Sequence, residues 1–174
     1  MDLLVVTDLS ASTTSAGLAS VRTFLSEMVS RMSVNNRYTH VGNMAYARGV
    51  STLMTLESGQ FPDRVLRSLN SGFRISPFRE VNTGFALHQA CKVFTSYCRR
   101  HVEKRLLLIT DEISSDTGLS RIQSEKLKAK GVRIIVIGSD VTEANQLASG
   151  PQYVFKINSY TNMPSLDAVL VAFK

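Results

Sequence analysis

Three short apolar runs constrain the fold of this 174-residue chain more than any other feature. They span residues 3–7, 106–110 and 132–137, each with a single polar residue (Thr7, Thr110 and Arg133), and none of them alternates polar with apolar side chains. A continuous apolar run of this length is typical of a strand that is buried on both faces. Such strands occur almost only in sheets that are mostly parallel and covered by helices on both sides. The runs therefore predict the centre of a parallel sheet.

Amphipathic segments separate these runs and predict helices at 15–32, 63–69, 83–102, 118–130, 142–148 and 165–173. Thr142 is expected to cap the helix that follows it. Further strands are predicted at 38–46, 50–56 and 153–157. The short link at Arg48-Gly49 indicates an antiparallel hairpin. We therefore predict a doubly wound, Rossmann-like α/β fold: a mostly parallel six-stranded sheet with one antiparallel edge strand and helices on both faces.

Composition narrows the class of protein. The chain is 44% hydrophobic and 20% charged, which argues against a disordered chain. No apolar run approaches the roughly 20 residues that span a bilayer, so membrane insertion is not expected. The first residues lack the basic segment and cleavage site of a signal peptide, so targeting does not indicate a compartment. No linker, repeat or low-complexity segment interrupts the alternation, and we expect residues 1–174 to form a single domain.

Oxygen-bearing side chains follow the predicted parallel strands. Asp8, Ser10 and Ser12 come directly after the first strand, and Asp111 follows the strand at 106–110. Thr83 opens the long helix. Ligands in open α/β sheets bind beyond the carboxyl ends of the strands, and hard divalent cations prefer oxygen ligands. The sequence therefore predicts a cation site at this edge of the sheet, with Mg²⁺ as the first candidate and Mn²⁺ or Ca²⁺ as others.

These residues carry a family resemblance. Asp8-Leu9-Ser10-Ala11-Ser12, Asn82-Thr83-Gly84-Phe85-Ala86-Leu87 and Leu107-Leu108-Ile109-Thr110-Asp111 resemble motifs of the von Willebrand factor type A (vWA) domain, over essentially the whole chain. The resemblance implies that Asp8, Ser10, Ser12 and Asp111 belong to a metal-ion-dependent adhesion site (MIDAS), with Thr83 as a weaker ligand. Residues 104–108 and 153–160 are loosely similar to the matrix branch of the family, including collagen VI-type A domains.

Two residues depart from the family pattern. Val81 stands where the family has a coordinating threonine, and Glu112 stands where a glycine follows the last aspartate. The metal could still be held by Asp8, Ser10 and Ser12, with water or Thr83 completing its shell. The alternative is a weakened or lost site, in which Asp8 and Asp111 only hydrogen-bond loop amides.

The resemblance implies a non-enzymatic adhesion or assembly module of an extracellular matrix or cell-surface protein. Its partner would be a matrix or cell-surface protein, collagen among the candidates, whose carboxylate completes the metal shell. Two alternatives remain open: a metal-independent interaction domain and an intracellular vWA scaffold.

Enzymatic motifs are missing from the sequence. There is no Gly-x-Ser-x-Gly elbow, no P-loop and no Gly-x-Gly-x-x-Gly after the first strand. A triad of Ser10, His40 and Asp111 is not expected, because His40 starts a strand and should lie at the other end of the sheet. We therefore expect no enzymatic activity.

Basic residues account for the formal net charge of +6 and cluster in two turns. The turns contain Arg99, Arg100, Lys104, Arg105, Lys126, Lys128, Lys130 and Arg133. Both turns lead into the amino ends of parallel strands, at the pole opposite Asp8. The usual meaning of such a run is a solvated face, and the functional alternative is a patch for an acidic polymer or a second protein surface. Nucleic acid is not expected, because no recognition motif or row of aromatic residues accompanies the charge.

Overall fold

The computed structural model describes all residues from 1 to 174 and contains one six-stranded sheet. The strands are β1 (Asp2–Asp8), β2 (His40–Tyr46), β3 (Val50–Met54), β4 (Lys104–Thr110), β5 (Val132–Gly138) and β6 (Val154–Lys156). Their order across the sheet is β3-β2-β1-β4-β5-β6. Only β3 runs antiparallel to its neighbour, and it lies at an edge, as predicted from the short hairpin link.

Six α-helices connect these strands. They are α1 (Ser15–Ser30), α2 (Pro62–Arg67), α3 (Thr83–Ser96), α4 (Thr117–Ala129), α5 (Val141–Leu147) and α6 (Leu166–Ala172). None of the helices combines the length and the apolar character that crossing a membrane requires.

The two faces of β1 show how the sheet is covered. Leu3 and Val5 pack in a cluster with residues of α1, α2 and α6, whereas Leu4 and Val6 pack in a second cluster with α3, α4 and α5. Successive side chains of a strand point to opposite faces, so a strand that is apolar at every position needs helices on both sides. The predicted doubly wound architecture is therefore confirmed.

The parallel register gives the sheet two distinct ends. We call the end where β1, β4 and β5 finish, at Asp8, Thr110 and Gly138, the carboxyl edge. The opposite end, where these strands begin, is the amino edge. His40 pairs with Asp2 at the amino edge, so the geometry does not assemble a triad of Ser10, His40 and Asp111.

The long helix α3 is shorter than predicted, because it ends at Ser96 rather than at residue 102. The reason is a tertiary contact: the buried carboxylate of Asp2 accepts hydrogen bonds from the backbone N–H of Arg99 (2.7 Å) and from its Nε (2.8 Å). The chain leaves the helix to reach this carboxylate, and His101 then adopts a positive φ of 62°.

The cap of α5 also differs from the prediction. Asp140, not Thr142, is the N-cap, and its side chain accepts a hydrogen bond from the Glu143 N–H at 2.7 Å. The N-cap therefore lies two residues earlier than expected and the helix begins at Val141, so Thr142 lies within its first turn.

Candidate metal site

The carboxylate of Asp8 lies at the centre of the carboxyl edge and is fully buried. Its Oδ1 accepts a hydrogen bond from the Ser10 N–H at 2.9 Å, and its Oδ2 accepts one from the Thr110 hydroxyl at 3.1 Å. An aspartate that bonds the backbone two residues on forms an Asx turn, which the Asp-x-Ser spacing encodes locally. The loop thus turns sharply around the carboxylate instead of continuing β1.

Burial raises the pKa of Asp8 to about 6. Loss of hydration is the largest cause, because a low-dielectric environment disfavours the charged form. The hydrogen bonds from Ser10 and Thr110 lower this pKa, and the nearby charge of Asp111 raises it further. No cationic side chain contributes to the shift, so Asp8 is a buried acid without an internal counter-ion.

Two serine hydroxyls lie in the same loop. The Ser10 Oγ and the Ser12 Oγ are 3.0 Å apart, with Ser10 buried and Ser12 exposed. The Ala11 N–H between them donates to the carbonyl of Phe78 at 2.8 Å, which anchors the loop to the chain before α3. The pair of hydroxyls is therefore held together beside Asp8.

Asp111 follows β4 and is half-buried. Its Oδ1 is inaccessible to solvent and has no hydrogen-bond partner. Burial, followed by the charge of Glu112, raises the pKa of Asp111. A buried carboxylate oxygen without a donor is unfavourable, and a bound cation is one way to satisfy it.

Val81, which stands where the family has a coordinating threonine, lies in an apolar environment. The side chain is buried among the apolar residues that α3 packs against the sheet and offers no oxygen. The Thr83 hydroxyl is buried and lies 3.0 Å from the hydroxyl of Tyr46. A role for Thr83 as a metal ligand stays a prediction, and its oxygen already has a partner in the protein.

Tyr160 is a site residue that the sequence reasoning missed. Its buried hydroxyl donates to the carbonyl oxygens of Asp8 at 2.7 Å and Ile109 at 3.2 Å, so it joins the ends of β1 and β4. Burial raises the pKa of Tyr160 well above its ordinary value, which keeps the hydroxyl protonated as a donor. A lone tyrosine in a polar segment gives no local signal of this role.

Two carboxylates that were also missed position the loop after Asp111. Asp116 accepts hydrogen bonds from the N–H groups of Gly84 (2.8 Å) and Phe85 (3.0 Å), and so caps α3 from a distant part of the chain. Glu143 accepts the Ser114 N–H at 3.0 Å. A Cβ on Gly84 would approach the backbone nitrogen of Ser120 to 2.5 Å, so only glycine allows α3 and α4 to approach this closely.

The site residues together offer two carboxylates and two hydroxyls. No three histidine, cysteine, aspartate or glutamate side chains converge anywhere in the chain, so a cation site here would depend on few charged ligands. Hard cations such as Mg²⁺ accept hydroxyl and carboxylate oxygens and retain several waters. The orphaned Asp111 oxygen and the uncompensated Asp8 charge fit such an ion.

The sequence model of the von Willebrand factor type A domain matches residues 2–169. The chain belongs to this family. The resemblance drawn from the Asp-x-Ser-x-Ser loop and the two other motifs is thereby confirmed, and the fold described above is the vWA fold.

Two mouse proteins illustrate the relationship. The chain is 25% identical over 176 residues to von Willebrand factor A domain-containing protein 2, and 28% identical over 177 residues to matrilin-1. These alignments cover 98% and 95% of this chain but only 22% and 34% of the relatives. The chain thus spans about a third or less of the length of these relatives.

Solved structures share the fold at lower identity. Proximal thread matrix protein 1 from the mussel byssus, with a zinc-occupied MIDAS motif, superposes with a TM-score of 0.88 at 21% identity, over 98% of this chain and 45% of that one. The manganese-loaded TRAP protein of Plasmodium vivax superposes with a TM-score of 0.81 at 18% identity, over 98% and 71% of the two chains.

Proposed function

We propose that this vWA domain, formed by residues 1–174, is a non-enzymatic protein-binding module of an extracellular matrix or cell-surface protein. It holds a divalent cation, Mg²⁺ or else Mn²⁺ or Ca²⁺, at Asp8, Ser10, Ser12 and Asp111. The observation that carries this proposal is the pair of buried or half-buried aspartates without a cationic partner, next to two hydroxyls.

Each residue has a defined part in this proposal. Asp8 and Asp111 supply negative charge, and the Ser10 and Ser12 hydroxyls supply neutral oxygens. The cation would act as a Lewis acid with an open position for a carboxylate of the partner, collagen or another matrix protein. The metal-occupied MIDAS of the mussel protein and the manganese in the Plasmodium protein support a divalent ion, and the matrilin-1 relationship supports a matrix setting.

Calorimetry with Mg²⁺ and Mn²⁺ at pH 7.5 tests the cation. The unaltered chain should bind with measurable heat, Asp8→Ala and Asp111→Asn should not, and the matched control Glu80→Gln should bind like the parent. Glu80 is an exposed carboxylate in the loop before α3, and it has no ion pair.

The outcomes separate the alternatives. Absence of heat from the parent protein with Mg²⁺, with Mn²⁺ and, in a third titration, with Ca²⁺ would refute the cation and favour a metal-independent interaction domain, in which Val81 and Glu112 mark a lost site. Binding that survives in both aspartate variants would show that the ion lies elsewhere.

The cluster of basic residues in the two turns at the amino edge is the second feature with a proposed function. We propose that the charged turns at the amino edge bind an acidic polymer independently of the cation. Two of their members are structural, however, because Arg99 pairs with the buried Asp2 and Arg105 is itself buried. The accessible cations are therefore fewer than the sequence indicates.

A further inference from the structure

A surface pocket of about 460 Å³ opens at the amino edge, between the end of α4, the start of β5 and the turn before β6. Its polar lining consists of Arg105, Lys128, Arg133, Ser149 and Gln152. Three of these side chains are cationic and none is anionic. The pocket therefore has the electrostatic character of an anion site.

Arg105 is the most constrained of the three cations, since only 4% of its side chain is exposed. One terminal nitrogen donates to the Glu103 carboxylate at 2.8 Å, and the other lies 3.4 Å from the Lys104 carbonyl. The Nε is buried and has no partner. A guanidinium whose donors do not all meet acceptors keeps part of its positive charge uncompensated, so Arg105 adds a fixed positive charge at the base of the pocket.

The other two cations, Lys128 and Arg133, can contact a ligand with little loss of interactions within the protein. The Lys128 Nζ contacts the Glu125 carboxylate at 2.6 Å, and that carboxylate is 66% exposed. An exposed surface ion pair contributes little to stability, so exchange of this partner for a ligand anion changes the free energy only slightly. Arg133 pairs with no carboxylate, and its guanidinium lies 5.1 Å from the ring centroid of Tyr153.

A second basic pocket, of about 230 Å³, lies on the other side of α4, between α4 and α3. Its lining includes His88, Lys92, Lys126 and Lys130. Lys126 and Lys130 are four residues apart and share one side of α4, whereas Lys128 lines the first pocket. A linear polyanion that crosses the end of α4 would therefore meet cations in both pockets.

The chemistry of the lining favours one class of polymer. Protein partners and single-stranded nucleic acids bind through aromatic and apolar anchors in addition to charge. Tyr153 is the only phenol or phenyl ring in either pocket, and Arg133 already covers it. Sulfate groups on a sugar chain need only cations and hydrogen-bond donors.

We propose that the amino edge binds a sulfated polysaccharide, with one sulfate group held by Lys128 and Arg133 above the buried positive charge of Arg105. This inference rests on the acidic-polymer part of the proposed function and is independent of the cation site. On binding, Lys128 exchanges the exposed carboxylate of Glu125 for the sulfate, whereas Arg105 keeps its pair with Glu103.

Binding to immobilised heparin in the presence of a chelator tests the proposal. The variant Lys128→Gln/Arg133→Gln should bind roughly tenfold more weakly, with a salt dependence reduced by about two charges. The matched control Arg79→Gln/Lys156→Gln removes the same charge from exposed positions toward the carboxyl edge and should bind like the parent. Circular dichroism checks that all variants are folded.

Each other outcome overturns a defined part of the inference. If the parent binds poly-glutamate but not heparin, the sulfated-polysaccharide proposal is wrong. If the parent binds neither polymer, the acidic-polymer proposal is wrong as well. If the two double variants lose affinity equally, an acidic polymer binds through diffuse charge and the pocket is wrong. If hyaluronan, poly-glutamate or duplex DNA, none of which is sulfated, competes as well as heparin does, the sulfate specificity is refuted.

Discussion

Strand β1 begins and ends with a fully buried aspartate, and the two carboxylates have opposite electrostatic surroundings. At the amino edge, Asp2 pairs with Arg99 at 2.8 Å and also receives the Arg99 backbone N–H. At the carboxyl edge, Asp8 has only neutral donors, and burial raises its pKa to about 6. One buried charge is neutralised within the protein, and the other is left for an external cation or a proton.

The largest expected change in the free energy of unfolding comes from removing the cation that pairs with Asp2. Arg99→Ala leaves the Asp2 carboxylate buried without its cation, and loss of one partner of a buried ion pair costs about 3 kcal/mol or more. Urea denaturation should show this loss in the free energy of unfolding. The adjacent, exposed Arg100 provides the control, and Arg100→Ala should change the free energy by less than about 0.5 kcal/mol. Equal effects of the two substitutions would contradict the distinction between structural and solvated arginines.

The second prediction concerns Asp8, at the carboxyl edge, where a substitution should raise the free energy of unfolding instead of lowering it. The folded-state pKa of Asp8, about 6, lies above the value near 3.9 of an unfolded chain. Ionised Asp8 therefore lowers stability: the penalty is absent below about pH 4, grows as the pH rises to 6 and is then complete at about 3 kcal/mol. Asp8→Asn removes this penalty but weakens the hydrogen bonds from Ser10 and Thr110. In metal-free buffer we expect it to raise stability by about 1–2 kcal/mol at pH 7.

Repeating the urea denaturation at pH 4 provides the internal control for Asp8→Asn, because protonated Asp8 carries no charge there. The variant should be no more stable than the parent at this pH. A variant that is less stable than the parent at pH 7 would mean that Asp8 has a stabilising partner in the metal-free state.

The smallest effect concerns the residue that departs from the family pattern. Val81→Thr places a hydroxyl in an apolar cluster and should lower stability by about 1 kcal/mol in metal-free buffer. If residue 81 faces the cation, the same substitution should tighten Mg²⁺ binding severalfold by calorimetry. Val132→Thr, at the start of β5, makes the same change at the amino edge and should leave Mg²⁺ affinity unaltered. Equal Mg²⁺ affinity for Val81→Thr and the parent would remove Val81 as the reason for a weak site.

The predicted elements follow the structure most closely where local chemistry decides. The run at 132–137 corresponds to β5, and Gly131, with a φ of 76°, lies between α4 and this strand. The prediction failed at the end of α3, since the residues after Ser96 are compatible with a helix. The competing contact comes from Asp2, 97 residues earlier in the chain, and no local pattern contains it.

Sequence patterns alone predict the doubly wound sheet and the placement of Asp8, Ser10, Ser12 and Asp111 at one edge. Periodicity and the Asp-x-Ser turn are local properties, so a linear reading contains them. Which charges are neutralised depends instead on the tertiary structure. Burial and pairing depend on residues far apart in sequence, such as Asp2 with Arg99, and the free energy of a charge depends on those surroundings. The net charge of +6 therefore describes neither edge: the amino edge uses part of its positive charge internally, and the carboxyl edge keeps two acids without cationic partners.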